Sequence, residues 1–273
     1  MARRIVHKVE EGMNRQDILC TTYQMRNFYD QFRDGFFTNL DVMNYIQHFA
    51  AAHLAGKGMN IVDVCCGRSL MLPLLRYYAK DINSYTGVDI SETNIKEAMR
   101  GAVRKNLTKE EIGKYYPFKV AWKLCNVAEM SRAVPEHFAD FVIYTSAIEH
   151  MHKDDGTASL KECKKIMKPG AKMFLSCPNT PGNGYNTQYA AHVYEWGYDE
   201  LRDMLLKLGF KIKQEVGLVM GAKEMKECYE RQSPEIQRFY NTMKNYMPNT
   251  WLSAVMAIPY PKQSKEILFI VEA

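Results

Sequence analysis

The chain has 273 residues, 47% hydrophobic and 25% charged, with 36 Lys and Arg against 31 Asp and Glu for a formal net charge of +5. That length admits one large α/β domain or two small ones, and the composition is that of an ordinary globular protein. No stretch approaches the roughly 20 apolar residues of a membrane span, so no membrane partner is expected. Basic residues are interleaved with acidic ones instead of forming a concentrated stripe, a balance that leaves nucleic acid open as a partner and does not fix an oligomeric state.

Residues 1 to 8, Met-Ala-Arg-Arg-Ile-Val-His-Lys, lack the apolar core of a signal peptide, and a cytoplasmic location is the expectation. The seven cysteines include no Cys-x-x-Cys pair and have no histidine at zinc-ligand spacing, so reduced thiols and no metal are expected. About 58 residues that read as helical precede the first strand. Asn14 to Phe32 is rich in Tyr, Phe, Met and Arg, and Val42, Ile46, Phe49 and Ala50 recur at helical spacing.

Residues 61 to 69, Ile-Val-Asp-Val-Cys-Cys-Gly-Arg-Ser, run straight into Leu70-Met71-Leu72, which reads as strand, tight turn and helix. Small residues in such a turn let backbone approach a ligand, and the N–H groups of the first helical turn face it. Ser69 is placed to cap a helix that runs to about Lys80, with Pro73 tolerated in its first turn. A second strand, Tyr85 to Val88, ends at Asp89, 26 residues after Asp63. An acid at that tip is where a ribose diol is bound in a βαβ nucleoside site.

Ser91 is placed to cap the next helix, with Ile95, Ala98, Met99, Ala102 and Val103 as its apolar stripe, and Thr108 with Glu111 suggests a capping box. Residues 117–125 form a third strand with Asn126 at its tip. Phe138–Ser146 form a fourth, followed by a helix that stops at Lys168-Pro169-Gly170, and Ala171–Cys177 a fifth. A Gly-, Asn- and aromatic-rich loop from Pro178 to Trp196 precedes another helix (Leu201, Met204, Leu205, Leu208), and a sixth strand spans about 210–219. Met220 to Tyr246 reads as one inserted helix, and Glu266 to Val271 as the last strand. Strands alternating with helices imply a doubly wound, mostly parallel sheet, with ligands at the carboxyl ends of its strands.

Asp63 to Ser69 resembles the first motif of class I S-adenosylmethionine-dependent methyltransferases, apolar-Asp-x-Gly-x-Gly-x-Gly, with Cys65 and Ser69 at the outer glycine positions and Gly67 at the central one. Gly87 to Ser91 resembles that family's ribose-binding tip. Three further motifs occur in register: Glu149-His150-Met151, Met167-Lys168-Pro169-Gly170 and Cys177-Pro178-Asn179, followed by His192-Val-Tyr-Glu195-Trp and Leu201 to Phe210. Together these resemble the small-molecule branch, similar to ubiquinone-biosynthesis methyltransferases, over about residues 58 to 215.

The resemblance implies a Rossmann-like sheet of seven strands, an N-terminal helical cap over residues 1–57 and a methyltransferase domain over 58–273 with a helical insertion at about 220–262. In the cap, Tyr23, Arg26, Tyr29 and Phe32 are candidates to face the cleft as a lid, although plain packing would give the same spacing. The implied cofactor is S-adenosylmethionine, held by Asp63, Cys65, Gly67, Asp89, Ile90, Asn126, Val127 and Ser146. Asn126 stands where the family usually has an aspartate that accepts from the adenine amino group, and its side-chain oxygen can do the same.

Methyl transfer to oxygen or nitrogen leaves one proton to remove near neutral pH, a task suited to histidine. His192, in the long loop, is the expected group on the acceptor's proton; His150 is expected to build the cofactor side of the cleft. Glu149 and Glu195 are candidates to orient these rings or to bind substrate hydroxyls, whereas Cys177 is read as a strand-end residue and not a nucleophile. The expected partner is a small-molecule or sugar-like acceptor. A nucleic-acid or protein methyltransferase is the rival, though the fourth strand ends in Ser-Ala-Ile-Glu-His and not the Asn-Pro-Pro-Tyr type of base-amine enzymes. A catalytically inactive partner subunit is a second rival, motivated by Cys65, Ser69 and Asn126.

Overall fold

The computed structural model describes residues 39–100, 109–187 and 189–273. Seven strands, β1 (Asn60–Val64), β2 (Ser84–Asp89), β3 (Lys119–Leu124), β4 (Ala139–Thr145), β5 (Met167–Pro178), β6 (Lys211–Val219) and β7 (Glu266–Glu272), form one sheet. Its order is β3-β2-β1-β4-β5-β7-β6. Neighbours from β3 to β5 pair in parallel, and β7 is antiparallel to both β5 and β6.

Central strands are covered on both faces, which is why they read as apolar runs and not as alternating ones. Side chains still alternate along them. Val62 and Val64 point into one core with Leu160 and Leu201, while Ile61 points into the other with Leu75 and Phe174. The edge strand β3 shows the opposite pattern, with half-buried Val120 and Trp122 between exposed Lys119, Ala121 and Lys123.

Helices α1 (Asn39–Leu54), α2 (Met71–Tyr78), α3 (Glu92–Met99), α4 (Lys109–Tyr115), α5 (Lys153–Ile166) and α6 (Tyr198–Lys207) accompany the sheet. Where Met220 to Tyr246 reads as one helix the structure has two, α7 (Ala222–Glu230) and α8 (Pro234–Met243), and a third, α9 (Asn249–Ala257), completes the insertion. Proline explains the breaks. Ser233 caps α8 with Pro234 in its first turn, and Pro248 stands at the start of α9; neither proline can supply the N–H that a continuous helix needs. These helices close over their own cluster of Met220, Met225, Cys228, Leu252 and Ala257. No described helix is long and apolar enough to cross a membrane. The candidate lid residues from Tyr23 to Phe32, and Ala102, Val103 and Thr108 of the expected stripe and capping box, lie outside the described residues.

The chain steps outward from β1 to β3 and then returns to place β4 on the other side of β1. The loops after β1 and β4 therefore leave in opposite directions, opening a crevice at the carboxyl edge of the sheet. Helix α1 is fixed to that edge by Gln47, fully buried, whose side chain donates to Ser146 Oγ at 3.0 Å and accepts from Ser176 Oγ at 2.6 Å. Removing it leaves buried hydroxyls without this partner. Gln47→Ala should lower stability by about 1–3 kcal/mol in urea unfolding; a change under about 0.3 kcal/mol would show that the bonds to β4 and β5 contribute nothing.

Candidate active site at the strand tips

The turn after β1 has left-handed backbone at alternate positions: Cys65 (φ 56°), Gly67 (φ 53°) and Ser69 (φ 60°). Such a conformation costs a residue with a Cβ about 1–2 kcal/mol, so glycine is the natural occupant of all three. The outer two positions thus keep the backbone of a glycine motif while carrying other side chains. Cys66 lies against Gly87 of β2, where an added Cβ would come within 2.7 Å of the Cys66 sulfur.

Ser69 does not cap α2. The cap position belongs to Leu70 and carries no side-chain bond, while the Ser69 hydroxyl accepts from the Trp122 indole of β3 at 2.8 Å. Its left-handed conformation turns the hydroxyl to a partner 53 residues away. Ser91 caps α3 as expected, accepting from the Asn94 N–H.

Asp89 is 3% exposed. One carboxylate oxygen accepts from the Gly67 N–H and the other from the Ser91 N–H, both at 2.8 Å, joining the turn after β1 to the start of α3. The oxygen that Ser91 meets also accepts from the Asn94 side-chain amide at 3.4 Å, so the one bonded to Gly67 has the lone pair for a further donor. Ile90 beside it is 39% exposed, an apolar surface next to the acid.

Asp63 is buried in β1 and accepts from the Tyr85 hydroxyl at 2.6 Å. Burial pushes its pKa up to about 7 from the ordinary 3.8; the Tyr85 bond works in the other direction, and the nearby Asp89 charge adds to the rise. The fold accommodates the neutral acid, so the stabilisation from this group is complete below about pH 4 and is lost as pH rises through about 7. Over that window Asp63 alone removes up to roughly 1.4 kcal/mol per pH unit. Asp63→Asn keeps an acceptor for Tyr85 and should flatten the decline in unfolding free energy between pH 4 and 8; an unchanged slope would mean that Asp63 is not its source.

At the tip of β3, the Asn126 oxygen accepts from the Ala128 N–H at 3.0 Å and opens a short 3₁₀ turn, Val127–Arg132. Val127 is buried in the core. At the tip of β4, Ser146 also has left-handed backbone (φ 43°), and its hydroxyl meets Gln47 and, at 3.1 Å, Glu266. It is tied to α1 and β7, a connection that local sequence does not reveal. Because β7 runs antiparallel, its first residue, Glu266, stands opposite Pro178 at the same sheet edge as the carboxyl ends of the parallel strands.

Glu149 and His150 follow in a 3₁₀ turn, Ile148–His150. The Glu149 carbonyl accepts from the N–H groups of Val193 (2.7 Å) and Tyr194 (3.1 Å), drawing the long loop onto this turn. The loop is further held by the Glu195 N–H on the Gly184 carbonyl and by fully buried Trp196. His192 is consequently not on a slack segment. It is 9% exposed, with Nδ1 2.7 Å from Glu195 Oε1. His150 Nδ1 lies 2.9 Å from the Ala191 carbonyl, and burial pushes this ring's pKa down. The two imidazoles meet edge to face at 5.1 Å, and Tyr189, 61% exposed, is 5.1 Å from His192.

Glu149 is 2% exposed, and burial pushes its pKa up to about 7 against the opposing pull of His192. Cys177 is buried, and burial raises its thiol well above the ordinary range, which suits a packing role. The six described cysteines are all thiols. Sequence reading found His150, His192, Glu149 and Glu195 but did not find that they form one cluster, nor that Gln47 and Glu266 adjoin it through Ser146.

The model of the methyltransferase domain family matches residues 37–215, more than half of the chain. The chain belongs to this methyltransferase family. It is 28% identical over 167 residues to a ubiquinone biosynthesis O-methyltransferase of Idiomarina loihiensis, an alignment covering 60% of this chain and 62% of that relative. It therefore spans only about three fifths of that relative's length. A solved S-adenosylmethionine-dependent methyltransferase from Archaeoglobus fulgidus superposes with a TM-score of 0.54 at 17% identity, covering 90% of this chain and 99% of the other. The small RNA methyltransferase HEN1 superposes with a TM-score of 0.59 at 15% identity over 86% of this chain and 26% of the other. These structural likenesses show the fold. This family and fold imply S-adenosylmethionine as the methyl donor.

Proposed function

We propose that this methyltransferase acts on an oxygen or nitrogen of a small-molecule or sugar-like acceptor, with oxygen favoured. The observation that carries the reading is the buried Glu195–His192 pair, set beside His150 on the loop that closes the crevice. The name of the ubiquinone-biosynthesis relative supports an oxygen of a small molecule. Exposed Tyr185 and Tyr189 on the same loop offer aromatic faces to a ring-shaped acceptor.

The strand tips fit the cofactor. Left-handed backbone at Cys65 and Gly67 brings the main chain close without a long side chain, and the Asp89 oxygen bonded to Gly67 keeps a lone pair for a ribose diol. Asn126 uses one lone pair of its oxygen on Ala128 and has the other for an adenine amino group. Ile90 supplies exposed apolar surface beside Asp89. In this reading Asp63, Val127 and Ser146 shape the site from behind, through Tyr85, the core and Gln47 respectively.

S-adenosylmethionine brings both the methyl group and its leaving group when bound. What remains for the chain is to align the acceptor, exclude water and handle one proton. Glu195 holds His192 by Nδ1, which leaves Nε2 for the acceptor side, and His192 is the residue assigned to the proton.

A panel of phenols, sugars and amines, with RNA and protein substrates alongside, should show S-adenosylhomocysteine formation with a member of the small-molecule set. With that acceptor, His192→Ala should lower turnover about 10²–10⁴-fold and leave cofactor affinity nearly unchanged. Turnover equal to wild type would remove His192 from the reaction, and activity confined to RNA or protein would overturn the acceptor class.

A further inference from the structure

We infer that helix α1 supplies a cofactor-binding residue: the side-chain amide of Asn44 donates a hydrogen bond to the carboxylate at the amino-acid end of S-adenosylmethionine. Asn44 is 4% exposed, and its Nδ2 is buried with no hydrogen-bond partner among the described residues. A buried donor without an acceptor is costly, and a ligand that brings the acceptor removes that cost.

The neighbours of Asn44 decide which of its atoms is left unpaired. The Ser146 hydroxyl has one hydrogen, and Glu266 Oε1 at 3.1 Å is a nearer acceptor for it than Gln47 Oε1 at 3.3 Å. Ser146 therefore accepts from Gln47 Nε2 at 3.0 Å, while the Ser176 hydroxyl donates to Gln47 Oε1 at 2.6 Å. With the Gln47 amide oriented in this way, the second hydrogen of Nε2 meets Asn44 Oδ1 at 2.8 Å. The Asn44 oxygen is thus engaged and its nitrogen is free to donate. Gln47 and Glu266 act as positioning residues in this chain of bonds, since they orient Asn44 without touching the ligand.

The course of α1 sets Asn44 at the crevice. Ala51 and Ala52 pack in the core with Ile61 of β1 and Ile143 of β4. One turn nearer the helix N-terminus, Gln47 has reached the carboxyl ends of β4 and β5 at Ser146 and Ser176. Asn44 lies three residues further on, roughly 4.5 Å along the axis and on the same face as Gln47. It stands beyond the strand tips and not over the sheet.

The order of the strands says which end of the cofactor arrives there. Asn126 at the tip of β3 takes the adenine and Asp89 at the tip of β2 the ribose, and the sheet continues with β1 and then β4. A ligand laid along these tips brings its remaining portion, the amino-acid end, to β1 and β4, where Gln47 anchors α1. A carboxylate is a strong acceptor for an amide N–H. Arg68, in the turn after β1, is already paired with Glu97, and the Ser146 hydrogen is spent on Glu266. Asn44 has this role only if the strand tips hold the cofactor as proposed above, and it lies outside the motifs that pointed to them.

Calorimetric titration of the full chain with two ligands tests the assignment. S-adenosylhomocysteine has the amino-acid end; 5′-methylthioadenosine has the same adenosine thioether without it. Asn44→Ala should weaken S-adenosylhomocysteine binding about ten- to a hundredfold, as for a hydrogen bond to a charged group, and leave methylthioadenosine affinity within about twofold. Asn44→Asp, which sets one carboxylate against another, should weaken S-adenosylhomocysteine at least as much and again spare the shorter ligand. Circular dichroism reports whether each variant is folded, and if Asn44→Ala is not, the nearly isosteric Asn44→Asp carries the same comparison. Unchanged S-adenosylhomocysteine affinity in a folded variant, or an equal loss for both ligands, overturns the role of Asn44 and leaves the cofactor reading standing. Failure of wild type to bind either ligand overturns the cofactor reading, and the role of Asn44 with it.

Discussion

Asp89 accepts from the N–H groups of Gly67 and Ser91, each at 2.8 Å, and so joins the turn after β1 to the first turn of α3. The strained backbone at Cys65 and Ser69 persists in this setting. Hydrogen bonds to a charged acceptor contribute about 1.5–3 kcal/mol each, comparable with the roughly 1–2 kcal/mol that each left-handed residue costs. One carboxylate therefore both shapes the cradle and has a remaining lone pair, on the oxygen that Gly67 meets, for a ligand. Serine at 69 turns part of the local strain to use by accepting from Trp122, which ties the edge strand β3 to the same turn.

The other half of the crevice depends on the reversal of chain direction between β1 and β4. It brings Ser146, Glu149 and His150 to one side, and antiparallel β7 adds Glu266 at the same edge. Burial raises the pKa values of Asp63, Asp89, Glu149 and Glu266, because each carboxylate loses solvation on this side of the sheet. S-adenosylmethionine carries a sulfonium cation, and a concave site rich in carboxylates favours it electrostatically.

The sheet was legible because central strands buried on both faces leave apolar runs with turn residues between them. Asp89 and Ser91 were legible because a strand tip and a helix cap are local features. Ser69 was not, since its partner, Trp122, is remote in sequence and the left-handed backbone at 69 takes it away from the cap. The single helix expected over Met220 to Tyr246 is broken by a signal that is present in the sequence, Ser233-Pro234. His192 and Glu195 stand three residues apart, yet their pairing depends on a loop pinned to the Glu149 carbonyl. No periodicity encodes that contact.

The central claim is that the two strand tips, joined by Asp89, hold S-adenosylmethionine. Calorimetric titration with S-adenosylhomocysteine tests it most directly, comparing wild type with Asp89→Ala at a temperature where both are folded. The account predicts saturable one-to-one binding by wild type and a loss of about ten- to a hundredfold in the variant, the equivalent of roughly 1.5–3 kcal/mol. No binding by wild type, or equal affinity in the two proteins, would contradict it.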